Sequence, residues 1–403
     1  MPWPQRCILS SREEFLHRLL DPHRVDSVSS LCAEFGISRK TAYKWRQRLL
    51  DEGVAGLEDR SRRPKTQKLE TSADMVASIV SLRRANPRYG PKKLRALLLR
   101  EHDEADVPSV KTIDRALRRC GEPRKKRRSR KQPLQKHSPS VAVEGPNDLW
   151  TIDFKGWWLT ADGTRVYPLT VRDQFSRFVL AVVLLDSQSM EGVRGVLLEL
   201  FRRYGIPKAI QSDNGSPFGS TASRAGFTRL SAWLVSMGVR VVFSRPGHPE
   251  DNGGHERMHL DLRYDVEDNA SETIREEREA AARWVHEFNH HRPHEALGQR
   301  VPAEVYQPSV RRLLGAWRLP LYPSAWQTRS VSCPGRISVK GNHYHVSAAL
   351  IGHLIGMEPL EGTRVRLWFY DYGLGELDLS IVTQKRPDRR GLGWNDPIPE
   401  VKE

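Results

Sequence analysis

The chain has 403 residues, and its 65 Lys and Arg outnumber its 49 Asp and Glu, which gives a net charge of +16. No apolar run approaches the roughly 18 residues that span a bilayer, and the four cysteines are far apart without a CxxC pair. These features exclude a membrane protein, a secreted disulfide scaffold and a cysteine zinc finger. The first 143 residues contain 33 basic and 17 acidic side chains, whereas the remainder has 32 of each. The composition therefore predicts a cytoplasmic protein of several domains with a polyanion-binding front end.

Three short helices are predicted within the first 50 residues, in the order of a helix-turn-helix. Apolar residues recur at helical spacing over 12–20 and 27–35, Gly36 provides a turn, and Ser38 is a good N-cap for a third helix over 39–50. This third helix would expose side chains suited to phosphates and base edges, namely Arg39, Lys40, Tyr43, Lys44, Arg46 and Gln47. A helical bundle with a basic, merely solvated face is the alternative for this segment.

A second group of helices is predicted over 73–84, 91–100 and 110–119, with a proline at the start of the second and Ser109 capping the third. Lys111 and Arg115 lie on the third helix, so we expect a second DNA-binding module of the helix-turn-helix kind. After it, seven of the eight residues from 124 to 131 are basic. Such a run cannot fold on itself, and we expect it to follow DNA phosphates through Arg124, Lys125, Lys126, Arg127 and Arg128.

The pattern changes near residue 143 to short β-rich runs separated by turn residues. Strands are predicted over 150–159, 165–173 and 177–185, followed by a helix over 189–204, a strand over 209–212, a helix over 228–237, a strand over 239–244 and a long helix from about Gly254. The first three strands indicate an antiparallel meander, and the later alternation of helix and strand indicates a mixed sheet flanked by helices. Further short strands over 326–382 predict a small β-barrel.

Three carboxylates occupy positions from which they could meet. Asp153 projects from a strand whose other face is apolar, Asp213 ends the next short strand, and Glu256 lies in the first turn of the long helix. Each acid alone is weak evidence, since a single strand-end Asp is more often a hydrogen-bonded turn residue. Together they form an oxygen-rich ligand set of the kind that Mg²⁺ prefers. Asp173, in the turn DQFSR, is expected only to cap that turn.

Three segments, WTIDFKG, SDNGSPF and HPEDNGGHER, resemble the signatures of the DDE transposase and retroviral-integrase catalytic core. GISRKTAYKW and GLEDRSRRP resemble the front end of bacterial insertion-sequence transposases, and FNHHRPHEALGQRVPAEVY resembles the segment that closes their core. The resemblance implies an RNase H-like fold over roughly 144–265. It also implies two Mg²⁺ ions, replaceable by Mn²⁺, and a reaction that cuts transposon ends and joins them to target DNA. By motif, Asp153, Asp213 and Glu256 inherit the catalytic and metal-binding roles.

The third acid has an alternative candidate, Glu250. Between Asp213 and Glu256 lie 42 residues, more than this superfamily often shows, and Glu250, with 36 intervening residues, fits a bare count better. We choose Glu256 because the motif NGxxER places it on the helix, whereas Glu250 lies in a Pro- and Gly-rich loop. The turn-rich segment 219–227 accounts for the surplus.

The expected fold class is multidomain α+β, with N-terminal helix-turn-helix modules, an RNase H-like α/β core and a C-terminal small β-barrel. The predicted divisions are 1–65 for the first helix-turn-helix, 66–122 for the second, 123–143 for a basic linker, 144–310 for the core and 325–385 for the barrel. Lys155 and Arg257 are further candidates for phosphate contacts. Double-stranded DNA and a second copy of the chain are the expected partners, at the bacterial nucleoid. Two rivals remain: a DNA-binding regulator with an inactive core, and a nuclease of the same fold.

Overall fold

A computed structural model describes six stretches of the chain, and it divides the chain into two compact units, Met1–Ala73 and Asp74–Glu403. The described residues are 8–60, 71–123, 141–220, 223–245, 252–313 and 319–381. The basic residues predicted to follow phosphates, from Arg124 to Arg128, lie outside these ranges, and so does Glu250.

The first unit is built on three helices, α1 (Ile8–Leu20), α2 (Val28–Glu34) and α3 (Arg39–Glu52). Ser38 caps α3 as predicted, because its hydroxyl accepts a hydrogen bond from the Thr41 amide at 3.2 Å. The helices enclose a small apolar core whose members include Phe15, Phe35, Trp45 and Leu57. The turn between α2 and α3 contains Gly36 at a φ of +63°, a conformation that favours glycine.

The second unit begins with three more helices, α4 (Ala73–Ala85), α5 (Pro91–Glu101) and α6 (Val110–Arg119). Ser109 caps α6 through the Thr112 amide at 3.3 Å. One apolar core joins the three helices and the turn after α4, and its members include Ile79, Tyr89, Leu94, Ile113 and Leu117. We call residues 74–122 the second helical module.

A mixed sheet follows, with strands β1 (Leu149–Phe154), β2 (Trp158–Leu159), β3 (Arg165–Asp173), β4 (Val179–Leu185), β5 (Ala209–Ser212) and β6 (Arg240–Phe243). Short turns make β3 antiparallel to β1 and to β4, which confirms the predicted meander. Helical crossovers make β5 parallel to β1 and β6 parallel to β5. The helices are α7 (Met190–Tyr204), α8 (Arg229–Ser236), α9 (Gly253–Asp265) and α10 (Ile274–His290).

The sheet buries both faces, and the alternation of β1 decides which side chain faces which layer. Trp150 and Ile152 belong to the core shared with α7 and α8, where the Trp150 ring lies 5.9 Å from that of Phe201. A second core, which includes Met258 and Trp284, packs α9 and α10 onto the other side. None of the described helices has the length and apolar character needed to cross a membrane.

The C-terminal strands are β7 (Gln327–Ser330), β8 (Arg336–Val339), β9 (Asn342–His345), β10 (Leu354–Pro359), β11 (Arg364–Phe369) and β12 (Tyr372–Asp378). They form an open sheet in the order β12-β11-β10-β7 and a separate β8-β9 hairpin. The predicted closed barrel is therefore not found among the described strands. The sheet instead packs against the central domain, where Phe227 makes edge contacts with Phe369 and Tyr372.

Candidate active site

Asp153 lies near the end of β1, on the face of the sheet that α9 covers. The Asn252 side-chain amide, just before α9, donates a hydrogen bond to Asp153 Oδ2 at 2.9 Å. Thr170, paired with Asp153 across β1 and β3, donates its hydroxyl to the Asp153 carbonyl at 3.0 Å. The acid is thus held in place from both the helix side and the sheet side.

Asp213 reaches the same edge of the sheet because β5 runs parallel to β1. The register pairs Thr151 with Gln211, so Asp153 and Asp213 each lie two residues further along their own chain segments. Asp213 directly follows β5, is exposed, and accepts a hydrogen bond from the Gly215 amide at 3.2 Å. The parallel pairing accounts for the convergence of these two acids.

Glu256 lies in the first turn of α9 and is exposed. Met258 and Leu262, fully buried on the opposite side of the helix, anchor α9 to the sheet. Gly254 lies against the Arg172 guanidinium. A Cβ added at position 254 would lie only 2.2 Å from Arg172 Nη2. Gly254 therefore allows the start of α9 to rest directly on Arg172.

Asp153 interacts electrostatically with each of the other two acids. Burial, followed by the negative charge of Asp213, raises the pKa of Asp153 to about 7, with a smaller contribution from Glu256. The Asn252 amide and a backbone amide oppose this increase. Partial desolvation also raises the pKa of Asp213, although its side chain is exposed. The raised pKa values show that the surroundings disfavour the ionised carboxylates, with desolvation as the first cause in both.

The ligand chemistry of this cluster suits a divalent cation, since all three side chains offer carboxylate oxygens. Across the described ranges, no three His, Cys, Asp or Glu side chains are close enough together to form a complete metal site. The acids are within electrostatic range of one another without forming a closed cage. Their donor type fits a bound Mg²⁺, whose charge would favour the ionised form of Asp153 against both burial and the repulsion from Asp213.

Beneath the start of α9 lies a buried polar layer that the sequence did not reveal. Arg172 donates from Nη1 to the Gly254 carbonyl at 2.7 Å and from Nη2 to the Gln174 side chain at 2.5 Å, and burial lowers its pKa to about 9. His259 lies 2.8 Å from the Thr170 hydroxyl, and burial lowers its pKa to about 3. These groups support Asp153 and α9 from behind.

Family models match almost every domain of the chain. An integrase core domain matches residues 143–249, and a second integrase core model matches 237–302. A helix-turn-helix domain matches 12–65, and a homeodomain-like domain matches 41–117. The C-terminal domain of the IS481 family transposases matches 326–385.

Known proteins give the same result. A protein of Burkholderia multivorans, described as an uncharacterized 31.7 kDa protein of insertion element IS407, is 30% identical over 231 residues, covering 57% of this chain and 79% of the relative. The chain belongs to the insertion-sequence transposase family. An uncharacterized 39.2 kDa protein of insertion element IS476 from Xanthomonas euvesicatoria is 27% identical to this transposase-family chain. The aligned region covers 66% of this chain and 71% of the relative. The magnesium-bound HTLV-2 integrase catalytic core is similar at 15% identity and a TM-score of 0.32, covering 40% of this chain and 98% of its own.

The residues of this family member that were predicted to face DNA are exposed wherever the structure describes them on α3 and α6. On α3, Arg39, Lys40, Tyr43, Lys44, Arg46 and Gln47 are all exposed, whereas Trp45 is buried. Within the described part of the chain, no acid forms an ion pair with Arg39, Lys40 or Arg46. Lys111 and Arg115 are exposed on α6.

Lys155 corrects one prediction. Its ammonium pairs with Glu267 and lies 5.1 Å from the centre of the Trp158 ring, with its side chain 10% exposed. It is therefore a structural cation and is not available for a DNA phosphate. Arg257 remains 58% exposed, with only a long contact of 3.8 Å to Asp261.

Asp173 has the structural role that the sequence predicts. Its carboxylate accepts hydrogen bonds from the Asn147 amide and from both the amide and the hydroxyl of Ser176, at 2.6 to 2.7 Å. Each donor lies in the turns that flank the start of β1 and the end of β3. This buried acid is fully occupied by the fold and takes no part in the acidic cluster.

Proposed function

We propose that this chain is a DNA transposase that binds transposon ends, cuts the phosphodiester there and joins the ends to target DNA. One observation carries the proposal: Asp153 at the end of β1 lies close enough to Asp213, after β5, and to Glu256, on α9, for both charges to act on its carboxyl. The family supports the same conclusion, since its core model spans the first two acids.

Asp153, Asp213 and Glu256 are the residues that would hold two Mg²⁺ or Mn²⁺ ions. When bound, such a pair activates the attacking oxygen and stabilises the leaving oxygen of an in-line phosphoryl displacement. Asp153 must be ionised to act as a ligand, and a pKa of about 7 allows it to lose its proton near neutral pH. The Asn252 amide would keep its carboxylate oriented during that change.

The two proposed steps exchange one P–O bond for another. In the first, a water oxygen bonds to phosphorus at the transposon end, and the bond to the leaving oxygen breaks to release a 3′-hydroxyl. In the second, that hydroxyl oxygen attacks a target phosphodiester, and a target 3′-oxygen leaves. Neither step requires a covalent bond between protein and DNA, so no Ser or Tyr nucleophile is assigned.

The exposed cations of α3 and α6 are the proposed contacts to the ends, together with the basic run that begins at Arg124. Because two ends must be brought together, we propose that the chain acts as a dimer or larger assembly on nucleoid DNA. The division into domains at 1–65, 66–122, 123–143, 144–310 and 325–385 is part of the same proposal.

The test uses the full chain, a labelled duplex made from the DNA that flanks its coding region, a target plasmid and Mg²⁺ or Mn²⁺. We expect the unaltered chain to produce joined DNA and Asp153→Asn to produce none, with end binding preserved. Asp186→Asn, at an exposed position outside the cluster, is the matched control and should join normally. Joining by Asp153→Asn would refute the assignment. Cleavage without joined product would indicate a nuclease, and binding alone would indicate a regulator.

A further inference from the structure

The helix that carries Glu256 is tied at its other end to the second helical module. Asp261 and Asp265 lie one turn apart on α9, and both pair with Arg88, from the turn after α4. The Arg88 guanidinium also lies 5.1 Å from the centre of the Tyr264 ring. One arginine of the module therefore contacts two acids and an aromatic ring of α9.

A second arginine completes this group of charges, which we call the α9 clamp: Arg88, Asp261, Asp265 and Arg292. Arg292 Nη2 lies 2.5 Å from Asp261 Oδ2, and each of these two side chains is only 8% exposed. Asp265 also accepts a hydrogen bond from the Trp284 indole at 3.0 Å. Arg257 adds only a long contact of 3.8 Å to Asp261. Among the described residues, removing Arg88 would therefore leave Asp261 paired with Arg292, and Asp265 with only a long ion pair of 3.8 Å to Arg292.

The clamp is continuous with the core of the second helical module. Tyr89, next to Arg88, is buried in that core together with Ile113 and Leu117 of α6, and the Arg292 guanidinium lies 5.8 Å from the Tyr89 ring. Lys111 and Arg115 remain exposed on α6. The module can therefore present α6 to DNA while its other side holds α9.

We propose that Arg88 is a positioning residue that fixes α9, and with it Glu256, against the helical module that reads the transposon end. Asp261 follows Glu256 by five residues, a rise of about 7.5 Å along a helix, so a shift of α9 at the clamp moves the acid as well. This inference rests on the proposed function, and it assigns a coupling between end recognition and catalysis to one side chain.

The experiment compares Arg88→Gln with Lys92→Gln in the full chain. Lys92 pairs with Glu295 on the same side of the module, but both partners are more than 60% exposed, so its loss should matter little. We expect Arg88→Gln to lower the joining rate at saturating end DNA about tenfold, with end affinity unchanged, and to speed hydrogen exchange of the α9 amides. Lys92→Gln should match the unaltered chain in all three measurements.

Two further variants distinguish a positioning role of Arg88 from a general loss of folding. Arg88→Lys keeps the charge without the two-pronged guanidinium and should recover part of the joining rate. The double variant Asp265→Asn/Arg88→Gln should lower the joining rate by a smaller factor than the product of the two single-variant factors, because both substitutions remove the same contact. If Arg88→Gln equals Lys92→Gln in joining rate and in α9 exchange, the proposal is overturned. If the unaltered chain does not join DNA, the proposed function fails, while the exchange comparison still decides whether Arg88 fixes α9.

Discussion

We predict that replacing Asp153 by Asn stabilises the cation-free chain at pH 8. The pKa of Asp153 is raised from its ordinary 3.8 to about 7 in the folded chain. Between these two values the folded chain keeps a proton that the unfolded chain has lost. Stability therefore falls as pH rises through this window and becomes level above about pH 7. Asn cannot ionise, so the Asp153→Asn variant does not lose folding stability in this pH range.

The magnitude follows from the same two values. At about 1.36 kcal/mol per pH unit, the difference corresponds to at most about 4 kcal/mol at pH 8. Relaxation and partial solvent access reduce this figure, so we expect a gain of about 1–4 kcal/mol. The variant also keeps a side-chain oxygen that can accept from the Asn252 amide, as Asp153 Oδ2 does at 2.9 Å. At pH 5 the folded acid is protonated but the unfolded one is mostly ionised, so the same arithmetic gives a difference of at most about 1.6 kcal/mol, which should vanish only below about pH 4.

The assay is urea unfolding in EDTA from pH 5 to pH 8, with Asp173→Asn as the control. Asp173 accepts from three donors with its two oxygens, so its amide variant should be less stable by about 1–3 kcal/mol at pH 5. Burial raises the pKa of Asp173 as well, so this deficit should shrink as pH rises. We expect the lost hydrogen bonds to keep Asp173→Asn below the unaltered chain at pH 8, whereas Asp153→Asn should be above it. A loss of stability in Asp153→Asn at pH 8, comparable to that of Asp173→Asn, would refute the reasoning. Added Mg²⁺ should stabilise the unaltered chain and have little effect on Asp153→Asn.

Three further predictions concern the supports of the site and the DNA-binding face. Gly254→Ala should cost about 1–3 kcal/mol of stability and lower joining, because its Cβ would meet the hydrogen-bonded Arg172 guanidinium at 2.2 Å; normal unfolding and joining would count against the close packing. Arg39→Ala should reduce the slope of log affinity against log salt by about 0.9 in an end-binding titration, and an unchanged slope would remove α3 from the DNA. Asn289→Ala should cost about 1–3 kcal/mol in urea unfolding, because it deprives the Val179 backbone of two hydrogen bonds; equal stability would show that solvent replaces them.

The sequence predicted the helices of both N-terminal modules and the order of the central sheet because these depend on local signals. Helix caps such as Ser38 and Ser109 depend only on residues a few positions away in the sequence. The same is true of the alternation of apolar residues on β1. The convergence of Asp153 and Asp213 was predictable for the same reason, since strand ends and turns are local features and the parallel pairing follows from a helical crossover.

The remaining features depend on contacts between distant residues. Lys155 seemed available for DNA because nothing near it in sequence pairs with it, yet Glu267, 112 positions away, does. The open C-terminal sheet was missed because alternation defines the faces of a strand but not which edges pair. Arg172 lies on the same face of β3 as Thr170, and only the neighbouring glycines at 253 and 254 hinted that another chain segment passes close by.

The way the chain distributes its buried cations bears on the role of the acids. Lys155 is two residues from Asp153 but pairs with Glu267, and Arg172 lies beneath α9 but donates to the Gly254 carbonyl and to Gln174. In the parts of the chain that the structure describes, no cation forms an ion pair with Asp153, Asp213 or Glu256. An acidic cluster that served only the fold would be expected to contain such a pair, as Asp261 and Arg292 form at 2.5 Å. A cluster without such a pair keeps its carboxylate oxygens available to a divalent cation, which the proposed function requires.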